Sequence, residues 1–302
     1  MILITGANGQ LGRAIQNECV GRGIRILPTD FFPEGNRKPN AFPNGLTHLD
    51  ISNFVELKQF LHRNPCDMII NCAAYNEVDK AERDTETAFL VNGFGPKNLA
   101  IMANQMQIPL AHFSTDYVFD GKKGSPYEVW DKPNPLSKYA ESKLYGEDLI
   151  HRFTNKYYII RLSWVFGDGR TNFVKKVLEW SRDKEELKIV EDQVSCPSYT
   201  VDLAGAVLDL IAAGEYGTYH LSNTEYCSRY EWAAYILKQT GWKGKLIPVS
   251  SAEFLTVAKR PAFSALSDSA ARRVLRYSLP NWKDATLRFL KRYSEYGNHI
   301  HK

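Results

Sequence analysis

The chain has 302 residues, enough for one large or two modest domains with a substantial buried core. Its 44% hydrophobic and 24% charged fractions are those of an ordinary globular protein, and no apolar run approaches the length of a membrane span. A formal net charge of +4, without a long basic run, argues against a nucleic-acid-binding surface.

Met1-Ile2-Leu3-Ile4-Thr5 reads as a buried strand, and Leu11 to Arg22 as a helix. Ile24 to Leu27 is a second strand ending at Asp30, followed by a loop rich in Pro, Gly and Asn from Phe31 to Gly45. Leu46 to Leu49 is a short third strand. Ser52 is placed to cap a helix whose apolar positions include Val55, Leu57, Phe60 and Leu61. Asp67 to Ala74 reads as a strand buried on both faces, and a helix from about Glu82 to Asn104 leads to the strand Pro109 to Ser114. A helix from Tyr139 to Phe153 precedes the strand Tyr157 to Leu162. Beyond it, short strands near 187–192, 217–222 and 246–249 alternate with helices near 172–182, 201–213, 228–240, 267–275 and 282–292. The polar tail from Ser294 to Lys302 is expected to fray, which leaves His299 and His301 outside any metal site. The alternation in the first half predicts an α/β protein with a parallel sheet covered on both faces. With no basic leader or cleavage site at Met1, and no C-x-x-C spacing among Cys19, Cys66, Cys72, Cys196 and Cys227, the expected location is the cytoplasm.

Thr5-Gly6-Ala7-Asn8-Gly9-Gln10-Leu11-Gly12 lies between the first strand and helix, where a dinucleotide turn must lie. Gly6 permits the tight turn, Gly9 lets the backbone approach a pyrophosphate, and Gly12 allows close helix–sheet packing. Asn8, Gln10 and Leu11 belong to the same cradle, whose helix N-terminus faces the anion. Asp30 is placed to hold the adenosine ribose, which favours NADH. Arg37 and Lys38 in the next loop are placed to neutralise a 2′-phosphate, so NADPH stays open. Asp50 and Ile51 are placed to meet the adenine. Ala73 and Ala74, with Tyr75 beside them, offer small side chains near the pyrophosphate or nicotinamide ribose.

Ser114-Thr115-Asp116 follows the fifth strand at the end where open α/β sheets bind ligands. Tyr139 and Lys143 are four apart on a helix and so share one face. The phenol would give its proton to a carbonyl oxygen, and the ammonium would bind the nicotinamide ribose and lower the phenol's pKa. No metal is expected; Glu185 and Glu186 read as a solvated face.

Together these motifs resemble the extended short-chain dehydrogenases/reductases, and more closely the dTDP-4-dehydrorhamnose reductase family. The resemblance rests on the glycine turn, on Asn71-Cys72-Ala73-Ala74-Tyr75 with Val78-Asp79-Lys80-Ala81-Glu82, and on Ser114-Thr115-Asp116-Tyr117-Val118-Phe119-Asp120-Gly121. It continues through Tyr139-Ala140-Glu141-Ser142-Lys143-Leu144, Ser163-Trp164-Val165-Phe166-Gly167, Asn172-Phe173-Val174, Asp192-Gln193, Gly217-Thr218-Tyr219-His220 and Arg260-Pro261 with Ser264. The chain departs from the pattern at Asn76, where a Thr is common, at Leu162, and at Val194 to Ser198.

The resemblance implies a Rossmann-like doubly wound parallel sheet with a smaller α/β substrate lobe. Residues 1–161 with about 200–222 would form the dinucleotide domain, and about 162–199 with 223–302 the sugar-nucleotide lobe. It implies reduction of the C4 ketone of dTDP-4-dehydro-6-deoxy-L-mannose by NADPH or NADH, for rhamnose-containing polysaccharide. Thr115, Tyr139 and Lys143 would be catalytic, with Asp116 assisting at the sugar. Val78, Trp164, Asn172 and Arg260 would contact the substrate. The expected partner is the dTDP-sugar, and the expected assembly a monomer or homodimer. Two alternatives remain at this point: another keto-sugar reductase or 4-epimerase on the same scaffold, and a non-catalytic subunit like the regulatory subunit of methionine adenosyltransferase.

Overall fold

Apolar strands and amphipathic helices alternate from the N-terminus, and each new strand adds in parallel to the sheet. The computed structural model describes residues 1–33, 45–169, 171–254 and 256–300, the side chains of 295–300 excepted. In chain order the first half comprises β1 (Ile2–Thr5), α1 (Gln10–Gly21), β2 (Ile26–Asp30), β3 (Thr47–His48), α2 (Phe54–Arg63) and β4 (Met68–Asn71). Next come α3 (Thr85–Phe89), α4 (Gly95–Met106), β5 (Leu110–Thr115), α5 (Lys138–Phe153) and β6 (Tyr157–Leu162). The second half comprises β7 (Val165–Phe166), α6 (Phe173–Asp183), β8 (Glu186–Val190), β9 (Val194–Ser195), β10 (Ser198–Tyr199), α7 (Thr200–Ala213) and β11 (Gly217–His220). It closes with β12 (Cys227–Ser228), α8 (Arg229–Gln239), β13 (Lys245–Val249), α9 (Ser269–Leu275) and α10 (Trp282–Ile300).

The main sheet has seven strands in the order β3-β2-β1-β4-β5-β6-β11. All its pairings are parallel. Strand order reverses between β1 and β4, which opens a crevice at their carboxyl ends, the usual ligand position in such sheets. Period-two alternation divides the strand side chains between two cores. Ile2, Ile4, Met68 and Ile70 pack with Ile15, Leu203 and Val207 on one face, whereas Leu3 and Ile69 pack with Leu57, Leu99 and Ile150 on the other. A third core, built from Phe166, Val174, Trp232, Ile236, Trp282 and Phe289, belongs to the later segments. There β8 and β13 pair in parallel beside α6 and α8.

The structure departs from the sequence reading at several elements. The helix expected over 82–104 is divided into a 3-10 turn (Lys80–Glu82), α3, a π turn (Leu90–Phe94) and α4. The π turn carries Asn92 into the core, where its amide spans the backbone N–H and carbonyl of Tyr75 and donates to Ser142 Oγ. That gain outweighs regular helix pairing; π turns are often found at functional sites. The cap of α2 is Asn53, whose side chain accepts from Glu56 N. Ser52 instead donates to Asp50. β4 stops at Asn71 because the Asn71 side chain accepts from Ala73 N and turns the chain. α10 spans Trp282–Ile300 and so includes the start of the tail expected to fray. Ala271 of α9 and Leu279 pack into the sheet-side core, although 223–302 was assigned to the smaller lobe. Among the described residues, no helix is long and apolar enough to cross a membrane.

Candidate active site

The turn from β1 into α1 is shaped by what a side chain would hit. Gly6 has φ +63°, and a Cβ there would overlap the Cys72–Ala73 backbone. A Cβ on Gly12 would overlap the Gly6 carbonyl oxygen. Gly9 caps α1 without a side-chain hydrogen bond, so the first N–H groups of the helix lack an internal acceptor. Asp30 receives Asn8 N at 2.8 Å and Phe31 N at 2.8 Å, which ties the end of β2 to this turn. Arg37 and Lys38 lie outside the described residues.

Above the turn is a cavity of about 420 Å³ lined by Gly9, Gln10, Leu11, Gly12, Ala73, Ala74, Val78, Ser114, Thr115, Asp116, Tyr139, Lys143 and Trp164. Thus two glycines of the turn and the proposed acid, hydroxyl and ammonium meet in one space, as their spacing implied. Ser114 Oγ is buried in this wall with no hydrogen-bond partner, a polar group prepared for a ligand. The open helix N-terminus, the glycine cradle and this hydroxyl fit a dinucleotide.

Other expected contacts differ. Asp50 is half-buried and accepts from Ser52, and Ile51 is buried against Gly95; both lie outside the wall of this cavity. The Tyr75 phenol donates to Asp84 Oδ2 at 3.0 Å and is absent from the cavity wall. Asn172 caps α6 by accepting from Lys175 N, and its amide donates to Gly167 O and Gln10 Oε1, which joins these segments. Arg260 forms a two-pronged ion pair with Asp79, with its shorter contact at 2.6 Å. Asn172 and Arg260 line a second cavity of about 460 Å³ with Phe173, Trp180, Trp232 and Phe254. Trp164, Val165 and Arg229 line both cavities and so mark their junction.

Burial governs the chemistry. The Tyr139 phenol is 3.5 Å from Asn76 Oδ1, and desolvation raises its pKa further than the nearby Thr115 hydroxyl lowers it. Lys143 was expected to lower that pKa, but its Nζ instead donates to Phe113 O at 2.6 Å. Tyr139 is therefore held as the neutral phenol, the form that can donate a proton. Asp116 is 2% exposed, and its carboxylate accepts from Thr115 Oγ1 (3.2 Å), Ser195 Oγ (3.0 Å) and Ser264 Oγ (2.5 Å). From the cavity wall it joins the end of β5 to two later segments and holds the Thr115 hydroxyl.

Desolvation pushes the Asp116 pKa up to about 6, against the lowering effect of those hydroxyls. A raised carboxyl pKa means that the folded state holds a proton the unfolded state releases. The associated stability is complete below about pH 4 and is lost as pH rises through about 6. Asp116→Asn should therefore stabilise the fold by on the order of 1 kcal/mol at about pH 8 and by nothing near about pH 4. Urea midpoints at the two pH values measure this, and an equal effect at both would contradict it.

Arg229 was not singled out from the sequence. Its guanidinium lies 3.6 Å from the Trp164 ring centre and 4.7 Å from that of Phe173. Trp164 in turn stacks on Trp232 at 5.9 Å. Among the described residues no carboxylate forms an ion pair with Arg229, and burial lowers its pKa. One signal was available: an arginine opening a helix opposes the helix dipole, and such local conflicts gather at functional sites. Trp164 is itself held at φ +40°, a costly conformation for a bulky residue.

Residues 1–295 match the family described as RmlD substrate binding domain. A dTDP-4-dehydrorhamnose reductase of Sinorhizobium fredii is 38% identical over 96% of both chains. The chain belongs to the dTDP-4-dehydrorhamnose reductase family. Among solved structures, the dTDP-4-dehydrorhamnose reductase of Clostridium acetobutylicum superposes with a TM-score of 0.89 at 38% identity, covering 97% of this chain and 99% of that one. The Bacillus anthracis dTDP-4-dehydrorhamnose reductase, in complex with NADP, gives 0.88 at 35% identity, covering 96% and 98%. Membership in this reductase family favours the reductase reading over the epimerase and regulatory-subunit alternatives.

Proposed function

We propose that this chain reduces the C4 ketone of dTDP-4-dehydro-6-deoxy-L-mannose to dTDP-L-rhamnose with NADPH or NADH, for rhamnose-containing polysaccharide. The observation that carries the reading is the convergence of Thr115, Tyr139 and Lys143 on the cavity that opens at the glycine turn, in a chain matched along its length to this reductase family. The nicotinamide, when bound, supplies the hydride that adds to C4. Tyr139, kept protonated by burial, gives its proton to the C4 oxygen. The Thr115 hydroxyl, with its single proton resting on Asp116, would turn that proton to the C4 oxygen when the ketone arrives. Lys143 would hold the ribose, while the glycine turn and the open end of α1 would hold the pyrophosphate. The second, aromatic cavity takes the deoxythymidine end, with Trp164 at the boundary. We place the reaction in the cytoplasm, in keeping with the unpaired cysteines.

The test is a coupled assay with dTDP-4-dehydro-6-deoxy-L-mannose and each nicotinamide in parallel. One equivalent of NADPH or NADH should be oxidised per ketone supplied. Net-neutral turnover with tightly retained NAD would point to an epimerase. A folded protein that binds cofactor yet consumes none with any 4-keto sugar would end the enzymatic reading.

A further inference from the structure

Behind Lys143 runs a buried polar chain that the proposed reaction does not use. Thr5, Asn71, His112 and Lys143 are each no more than 2% exposed. Thr5 Oγ1 donates to Asn71 Oδ1 at 2.7 Å, and the backbone N–H of Ala73 donates to the same oxygen at 3.1 Å. A backbone N–H can only donate, so it fixes which end of the Asn71 amide is oxygen. The amide nitrogen must then face His112 Nδ1, 2.9 Å away, as a donor. His112 Nδ1 has to accept, which rules out the imidazolium and leaves the one ring proton on Nε2. That Nε2 lies 3.5 Å from Lys143 Nζ.

An N–H aimed at an ammonium sets donor against donor, whereas aimed at an amine it meets a lone pair. The Phe113 carbonyl, accepting from Nζ at 2.6 Å, accommodates either form. We propose that His112 is a positioning residue: locked by Asn71 as the Nε2–H tautomer, it presents a donor to Lys143 Nζ and so favours the amine over the ammonium until cofactor binds. Other groups facing Lys143 do not overturn this. Glu147, one turn along α5, is engaged by Arg161 with its shortest contact at 2.7 Å. The Cys72 thiol is pushed up by burial and stays neutral, as does the Tyr139 phenol. Burial lowers the Lys143 pKa to about 8 and drives that of His112 well below the ordinary histidine range.

The consequence is that cofactor binding near pH 8 draws a proton from solvent onto Lys143, when the ammonium gains the ribose as an acceptor. This step rests on the reading of Lys143 as a cofactor contact; the tautomer assignment does not. Two measurements test the proposal. In 15N-histidine-labelled, ligand-free protein, His112 should show the neutral Nε2–H pattern without titrating from about pH 6 to about pH 9. Its signals are assigned by their loss in His112→Phe. An Nδ1–H pattern, or titration in this range, overturns the proposal whatever the protein's activity.

The second measurement is calorimetry of NADPH and NADH binding at about pH 8 in buffers of different ionisation enthalpy. Uptake should be measurable in the wild type and fall at least about twofold in His112→Gln, whose amide oxygen can accept from the ammonium without making the site more apolar. Equal uptake in both proteins overturns the proposal, whereas a merely structural role for His112 would alter stability and leave the proton count unchanged. Failure of either nicotinamide to bind would count against the cofactor reading instead, and the tautomer measurement would still decide this one.

Discussion

Replacing Tyr139 by Phe should lower turnover by about two to four orders of magnitude while cofactor still binds, as expected when a general acid is removed without altering the space it fills. The phenol is 9% exposed and lies in the wall shared with Thr115 and Lys143. Its ring packs edge-on to Tyr117 at 6.4 Å, a contact Phe retains. Only the 3.5 Å contact from its oxygen to Asn76 and the approach to Thr115 are lost, so stability should change little. Because burial raises the Tyr139 pKa, the acid is already loaded at neutral pH, and the wild-type rate should not fall with rising pH through loss of this proton before strongly alkaline conditions. Near-wild-type turnover in Tyr139→Phe would mean that the C4 oxygen takes its proton from another group. Nicotinamide binding, followed by fluorescence, separates loss of chemistry from loss of the site.

What the sequence made legible follows from short-range physics. The glycine turn can be read because a Cβ at Gly12 meets the Gly6 carbonyl, which the strand–turn–helix connection itself brings near, and because Gly6 has the positive φ of a tight turn. Tyr139 and Lys143 can be read because i, i+4 spacing on a helix puts two groups on one side. The direction in which the Lys143 ammonium points is another matter. Its partner, Phe113 O, belongs to a neighbouring strand, so the expected lowering of the phenol's pKa gave way to burial. Asp116 was expected at the sugar, yet its hydroxyl partners Ser195 and Ser264 lie far along the chain. Nothing local says that these converge. Asn92 shows the same limit, since a long apolar periodicity gives no sign that one extra residue will bulge inward to bind Tyr75.

Arg229 gives the second large expected effect: Arg229→Met should lower kcat/KM for the dTDP-sugar by about a hundredfold, mainly through KM, with kcat nearly unchanged. The argument is electrostatic. Among the described residues two arginines line the aromatic cavity, but Asp79 already neutralises Arg260 at 2.6 Å. Among the described residues Arg229 faces aromatic rings and the Tyr117 phenol, with the buried carboxyl of Asp116 acting at longer range. A desolvated cation held in that way is costly unless an anion arrives. The diphosphate of a nucleotide sugar must cross the junction between the two cavities, where Arg229 stands, if its sugar is to reach Tyr139 and its base the tryptophans. Met keeps much of the stem's contact with Trp164 while removing the charge, so packing loss is small. Arg229→Lys should recover only part of the affinity, because an ammonium cannot lie flat on the indole and also present two donors. Inhibition by dTDP should weaken in parallel with KM, whereas cofactor affinity should stay within about twofold. An unchanged KM in Arg229→Met, with the fold intact, would place the diphosphate elsewhere in the cleft.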